Sequence, residues 1–197
     1  FGSVIVWDTV TGQELFAING RGPIAYSPDG RLLAGTVYEI DRITLKLWDA
    51  VSGRGLISIP ASTYTTCLAY SPDGRMIASG TFKAAILWNV AGKRPAFSLA
   101  ACKGDLTSVA FSSDGRWLAA GADTTVKVWD VPTGTERFTL KGHTAQVSCL
   151  DFLPGGEMVA AGSIDGAIKL WDLAAVKEEP VPDPDGALFR PPPDYRE

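Results

Sequence analysis

Few side chains in this 197-residue chain could do chemistry, and His143 is the only imidazole among them. A Ser-His-Asp reading could recruit Ser148 or Ser163 with Asp165, but no nucleophile motif frames either serine. A transition-metal site needs a second His or a Cys pair at ligand spacing, and Cys67, Cys102 and Cys149 provide neither. Asp183-Pro184-Asp185-Gly186 starts like a calcium loop, yet its prolines and missing distal Glu argue against one. Gly20-Arg21-Gly22-Pro23 and Gly53-Arg54-Gly55 precede no helical pattern, so they read as turns rather than phosphate cradles. The expectation is a chain with no catalytic residues, no cofactor and no metal.

Composition narrows the partners. Asp plus Glu (22) outnumber Lys plus Arg (18), giving a net charge of -4, and no basic run offers the face that phosphate neutralisation needs. No nucleic-acid partner is expected. No apolar run approaches the roughly 18 residues of a membrane span, and no signal-peptide pattern opens the chain, so we expect a cytoplasmic protein that does not bind membranes. The chain begins at Phe1 inside an apparent strand, which suggests a fragment of a longer protein.

The elements that must position any site are set by a repeat. Trp7-Asp8, Trp48-Asp49, Trp88-Asn89, Trp129-Asp130 and Trp171-Asp172 follow one another at 41, 40, 41 and 42 residues. A second series keeps that beat: Ser27-Pro28-Asp29-Gly30, Ser71-Pro72-Asp73-Gly74, Ser112-Ser113-Asp114-Gly115 and the drifted Leu153-Pro154-Gly155-Gly156. Two signatures in phase define a repeat array. Short apolar, β-branched runs bounded by Gly, Pro, Asp and Ser recur about every ten residues without helical periodicity, so the chain reads as all-β.

These residues resemble the WD40 family of β-propellers, whose repeats run from a Gly-His pair to a closing Trp-Asp. Gly142-His143, Asp165-Gly166 and Trp171-Asp172 match it best, and the resemblance covers residues 1–173. It implies four-stranded blades, with strands a to d running outward from the axis. Counting strands gives four nearly complete blades plus a half blade, an open arc cut from a larger propeller whose other blades lie elsewhere in the parent chain. The b to c connection at 38–42 should be a lengthened loop, and Cys102 falls in a predicted loop. Cys67 and Cys149 should lie on innermost strands of non-adjacent blades, too far apart to bond. Residues 174–197, rich in Pro and acidic residues, should be an irregular tail; within it Pro192-Pro193-Asp194-Tyr195 fits the short pattern bound by WW domains.

The family's blades carry a buried network of His, Ser or Thr, Asp and Trp. Carried over residue by residue, it gives His143, Asp165 and Trp171, with Ala161 at the hydroxyl position; Asp123 and Trp129, with Cys102 and Ala120 as departures; Ser79 and Trp88, with Phe82 at the Asp position; and Trp48, with only Asp41 as a substitute. The loops from d to a and from b to c should form the partner-binding rim, with Tyr38, Phe82, Lys83, Arg21, Tyr64 and Asp105 as candidates. The resemblance therefore implies a non-catalytic scaffold that binds a protein or peptide, the sensing or targeting part of a larger regulatory protein. The competing reading is a hydrolase-like enzyme with its site in the central channel.

Overall fold

A computed structural model gives the structure of the protein; it describes residues 2–20, 22–61 and 63–176, apart from the side chains of 83 and 100–103. The expected tail therefore lies almost wholly outside the described residues. Every described element is a β-strand paired antiparallel with its neighbours. Blade 1 is a half blade, the hairpin of β1 (Ser3–Trp7) and β2 (Glu14–Asn19). Blade 2 contains β3 (Ile24–Tyr26), β4 (Leu32–Glu39), β5 (Arg42–Asp49) and β6 (Gly55–Ala61). Blade 3 contains β7 (Cys67–Tyr70), β8 (Met76–Gly80), β9 (Phe82–Asn89) and the first part of β10 (Arg94–Phe111). The rest of β10 opens blade 4, which continues with β11 (Trp117–Ala122), β12 (Thr125–Asp130) and β13 (Thr135–Leu140). Among the described residues blade 5 has three strands, β14 (Val147–Phe152), β15 (Met158–Ser163) and β16 (Ile168–Asp172). These are open propeller blades, not a closed ring.

Two expectations need correction. The extra residues at 38–42 lengthen strands β4 and β5 instead of forming a loop, because Tyr38 and Glu39 continue the ladder against Ile43 and Arg42. Cys102 lies in strand β10, which runs without a break from the outer strand of blade 3 into the inner strand of blade 4 and absorbs the change of blade in a register shift between Ala100 and Asp105. Blades 3 and 4 thereby share one seven-stranded sheet.

The two sequence signatures are the two kinds of turn at one end of each blade. At the a to b turn the hydroxyl of Ser27 donates to Asp29 and accepts from the Leu32 N–H, and Ser71 and Ser112 repeat this box with Asp73 and Met76, and with Asp114 and Trp117. The acidic residue after each Trp holds the c to d turn: Asp8 accepts from the N–H groups of Val10 and Thr11, Asp49 from those of Val51 and Ser52, and Asp130 from that of Thr133. Asn89, an amide in the same place, accepts from Gly92. These are local backbone satisfactions of the Asx-turn kind.

Between blades the contact is apolar. On strand c of blades 2, 3 and 4 the Trp faces the preceding blade, while the residues one and three places before it face the following blade. Trp48 packs with Ile18 and Leu33, while Leu45 and Leu47 pack with Ile77, Ile86 and Trp88 of blade 3. Leu87 of blade 3 meets Leu118 and Trp129 of blade 4, and Val126 and Val128 of blade 4 meet Val147, Leu150 and Val159 of blade 5. Hydroxyls reinforce the inner seam: Thr66 donates to the carbonyls of Gly80 and Leu106, and Thr107 to those of Gly121 and Val147.

The polar network inside blades is sparse. Ser79 accepts a 2.8 Å bond from the Trp88 indole. In blade 2 the corresponding residue is Gly35, where a Cβ would sit 3.3 Å from the Trp48 ring, so this indole lies against bare backbone. Trp129 is buried over Ala120. In blade 5 the Trp171 indole reaches only the Lys141 carbonyl at 3.4 Å. There the His143 ring lies edge-on to Trp171 at 5.5 Å, and both its nitrogens are buried without a hydrogen-bond partner. Each fully buried aliphatic or aromatic side chain contributes about 1.5–3 kcal/mol, against about 1 kcal/mol net for a hydrogen bond. Apolar stacking therefore holds the array.

Three outcomes follow. Trp129→Ala should cost about 3–5 kcal/mol in urea unfolding, because its ring is 2% exposed, whereas Trp7→Ala, at 54% exposed, should cost less than about 1 kcal/mol; equal losses would contradict the stacking scheme. Ala161→Ser should restore the bond Ser79 makes and stabilise the chain by about 1 kcal/mol; destabilisation of that size would show that the hydroxyl finds no partner. The Ser71 and Ser112 hydroxyls hold the Asp73 and Asp114 carboxyls below the ordinary value of 3.8. A lowered folded-state pKa contributes stability that is present above the unfolded value and lost as pH falls through the folded one, so melting temperature should drop below about pH 4, and less steeply in Ser112→Ala.

Candidate interaction site

Chain direction fixes which loops share a rim. The turns from a to b and from c to d lie at one end of each blade, so the b to c turns and the d to a connections must lie at the other. There each b to c turn bonds to the entry of the next blade. The Thr81 carbonyl accepts from the Leu106 N–H at 3.2 Å, and that of Asp123 from the Val147 N–H at 2.7 Å. Between blades 2 and 3 a side chain does this work: the Tyr38 hydroxyl donates to the Thr65 carbonyl and accepts from the Thr65 N–H, each at 3.2 Å, and accepts from Thr36 at 3.1 Å.

The lengthened β4–β5 hairpin is what lets Tyr38 reach that far. Its ring stacks on Tyr64 from the connection between β6 and β7, with centroids 5.1 Å apart and planes 23° from parallel. Tyr64 is left 72% exposed on top of this stack, and Phe82, at the start of β9, is 59% exposed. An open cleft of about 940 Å³ lies beside the hairpin, between Asn19 and Gly20 on one side and Val37 to Arg42 on the other. At its mouth Glu39 and Arg42 pair at 3.2 Å, and Ile40 is almost fully exposed. Asp105 is also exposed on this rim. Arg21 and the side chain of Lys83 lie outside the described residues.

Of the candidates, then, Tyr38 and Tyr64 are brought together, with Tyr38 committed to bonding the neighbouring blade and Tyr64 facing solvent. The reading of residues missed the clamp itself. A signal for its inner counterpart was present: Thr66, Thr107 and Ser148 recur at 41-residue intervals, and the first two are the hydroxyls that cross between blades.

The Ser-His-Asp residues are not assembled. Ser148 donates to the Gly162 carbonyl and neither nitrogen of His143 is bonded. Asp165 is held below the ordinary carboxylate value chiefly by the Ala167 N–H, then by the hydroxyls of Ser163 and Thr144 and the nearby His143. Asp41 makes no bond to Trp48 among the described residues. No group of three or more His, Cys, Asp or Glu among the described residues is placed to hold a metal ion. What the rim offers is aromatic and aliphatic surface on rigid supports, which suits contact with another polypeptide.

The family model for the WD domain, G-beta repeat, matches the chain at residues 56–85, 93–130 and 134–172. No curated protein matches the chain significantly. Each match begins in strand d of one blade, those of blades 2, 3 and 4, and runs through strands a and b into strand c of the next, and together they span more than half of the residues. Repeats of this kind serve in general as scaffolds for protein interaction. The chain belongs to the WD40-repeat family.

Proposed function

We propose that this chain is the non-catalytic interaction platform of a larger regulatory protein, and that it uses the rim of b to c turns and d to a connections to hold a protein or peptide. The observation that carries this reading is Tyr64, an aromatic ring presented to solvent and backed by Tyr38, which is itself fixed by three hydrogen bonds. A ring supported on one face by a fixed neighbour loses less conformational entropy on binding than an unsupported one, so it is suited to be an anchor. Phe82 extends the apolar surface, and Asp105 adds a charged group at its edge. Further blades of the parent chain are the natural cover for the outward faces at the two ends of the array, where Ile5, Trp7, Ile168 and Leu170 are exposed. A cytoplasmic setting agrees with the free thiols of Cys67 and Cys149.

Affinity capture with the chain and with a Tyr64→Ala, Phe82→Ala double variant tests this. Both should melt at the same temperature, and the proteins retained by the original chain should be lost from the variant. Identical retention by both would overturn the assignment of the rim, and turnover of a generic ester that His143→Ala abolishes would overturn the non-catalytic reading.

A further inference from the structure

Three of the rim side chains form one row across the mouth of blade 3. The Thr66 N–H bonds the Gly80 carbonyl at 2.8 Å, and Tyr64 and Phe82 each stand two residues beyond that bond, so they rise side by side where β7 and β8 open. On the far side the β9–β10 ladder sets Asp105 opposite Phe82. Tyr64 and Phe82 are 72% and 59% exposed, and Asp105 is exposed with no ion pair among the described residues. The row is two aromatic surfaces followed by a carboxylate. In blade 4 the places of Tyr64 and Phe82 are taken by Asp105 and Asp123, and in blade 5 by Gln146 and Asp165, so the aromatic pair is peculiar to blade 3. Polyproline segments suit such a surface: they pack their rings on aromatic side chains, need no partner for an N–H and are extended before they bind.

The chain carries a segment of that kind in Arg190-Pro191-Pro192-Pro193, a cation beside three consecutive prolines. It lies outside the described residues, and its tether can reach. Val176, the last described residue, sits at the opposite end of blade 5, its N–H bonded to the Asp172 carbonyl where the other blades turn from c to d. Blades about 10 Å apart and strands about 20 Å long put the row about 35 Å from it. In the polyproline conformation residues 177–191 span about 46 Å.

We propose that the row of Tyr64, Phe82 and Asp105 is a seat for a proline-rich segment, and that residues 190–193 of this chain occupy it in cis. The prolines lie against the two rings, and the Arg190 guanidinium meets the Asp105 carboxylate. A short tether holds the segment at an effective concentration on the order of 1 mM, so a free-peptide Kd of about 0.1 mM keeps the seat filled about nine-tenths of the time. The tail thereby competes with any outside partner, which must itself present prolines beside a cation. This rests on the reading of the rim as the binding surface, and adds what the rim binds and what limits access to it.

The probe is a labelled synthetic peptide copying residues 189–197, Phe-Arg-Pro-Pro-Pro-Asp-Tyr-Arg-Glu. It is titrated by anisotropy into the full chain and into a full-length variant carrying Pro191→Ala, Pro192→Ala and Pro193→Ala. A seat filled about nine-tenths of the time weakens a competitor about tenfold, so the peptide should bind the variant about ten times more tightly than the original chain. Adding Tyr64→Ala and Phe82→Ala to the variant should abolish binding at an unchanged melting temperature. Asp105→Ala should weaken the peptide severalfold and leave a peptide with Arg190→Ala unaffected. Equal affinity for chain and variant, or binding to neither, overturns the proposal, as does binding that survives loss of the two rings. A dimer of the original chain that the proline substitutions dissolve overturns it too, since the tail would then sit on a second copy. Proteins captured by the proline variant and lost on removing Tyr64 and Phe82 uphold the rim even where the peptide fails, so the two readings fail separately.

Discussion

Stacking of one β-blade on the next through strand c is the interaction on which the rest of this molecule depends. A strand alternates its side chains between two faces, so a single strand can bury its Trp against the blade before and its aliphatic pair against the blade after. Trp48, Trp88 and Trp129 each do so within a core assembled from two blades, and no blade has a closed core of its own. Stability in such an array is nearly one-dimensional: each blade contributes its own sheet plus one joint with each neighbour. The polar groups are secondary. Among the described residues Ser79 is the one hydroxyl that satisfies a strand c indole, and the buried His143 nitrogens have no hydrogen-bond partner.

That dependence explains where the surface becomes useful. Once the joints fix the blades, the turns at one rim are tied across each joint by backbone bonds from Leu106 and Val147, or by the Tyr38 hydroxyl where blade 2 meets blade 3. Tyr64 is thus displayed on a ring that is itself hydrogen-bonded across the joint. At the ends of the described array the strand c residues meet no further blade among the described residues, and Ile168 and Leu170 are exposed there.

The fold was legible because its determinants are local and periodic. Trp-Asp marks the end of strand c and its capped turn, Ser-Pro-Asp-Gly marks the box between a and b, and their shared interval sets the number of blades. What could not be read came from interactions that break the period. Residues 38–42 carry extra length, and nothing in their types separates a longer loop from longer strands. The ladder decided in favour of strands because Tyr38 gains a bonding partner in Thr65 that lies 27 residues away. The continuous strand β10 replaces the loop expected around Cys102 for a similar reason, since Ala100 and Asp105 pair with the two ends of β9 on either side of a register shift. Of the site, Tyr38 and Phe82 were visible as aromatics in place of small or polar turn residues and Tyr64 only as one residue of the rim, whereas the stacking of Tyr38 on Tyr64 required the fold.

Native-state hydrogen exchange measures the joints directly, because protection reports the free energy of opening each element. Blades 3 and 4, buried on both faces, should show the slowest amides in β8, β9, β11 and β12, with protection falling off through blade 2 and blade 5 and lowest in β1 and β2. Uniform protection along the array, or the highest protection in an end blade, would contradict the claim that neighbouring blades hold one another together.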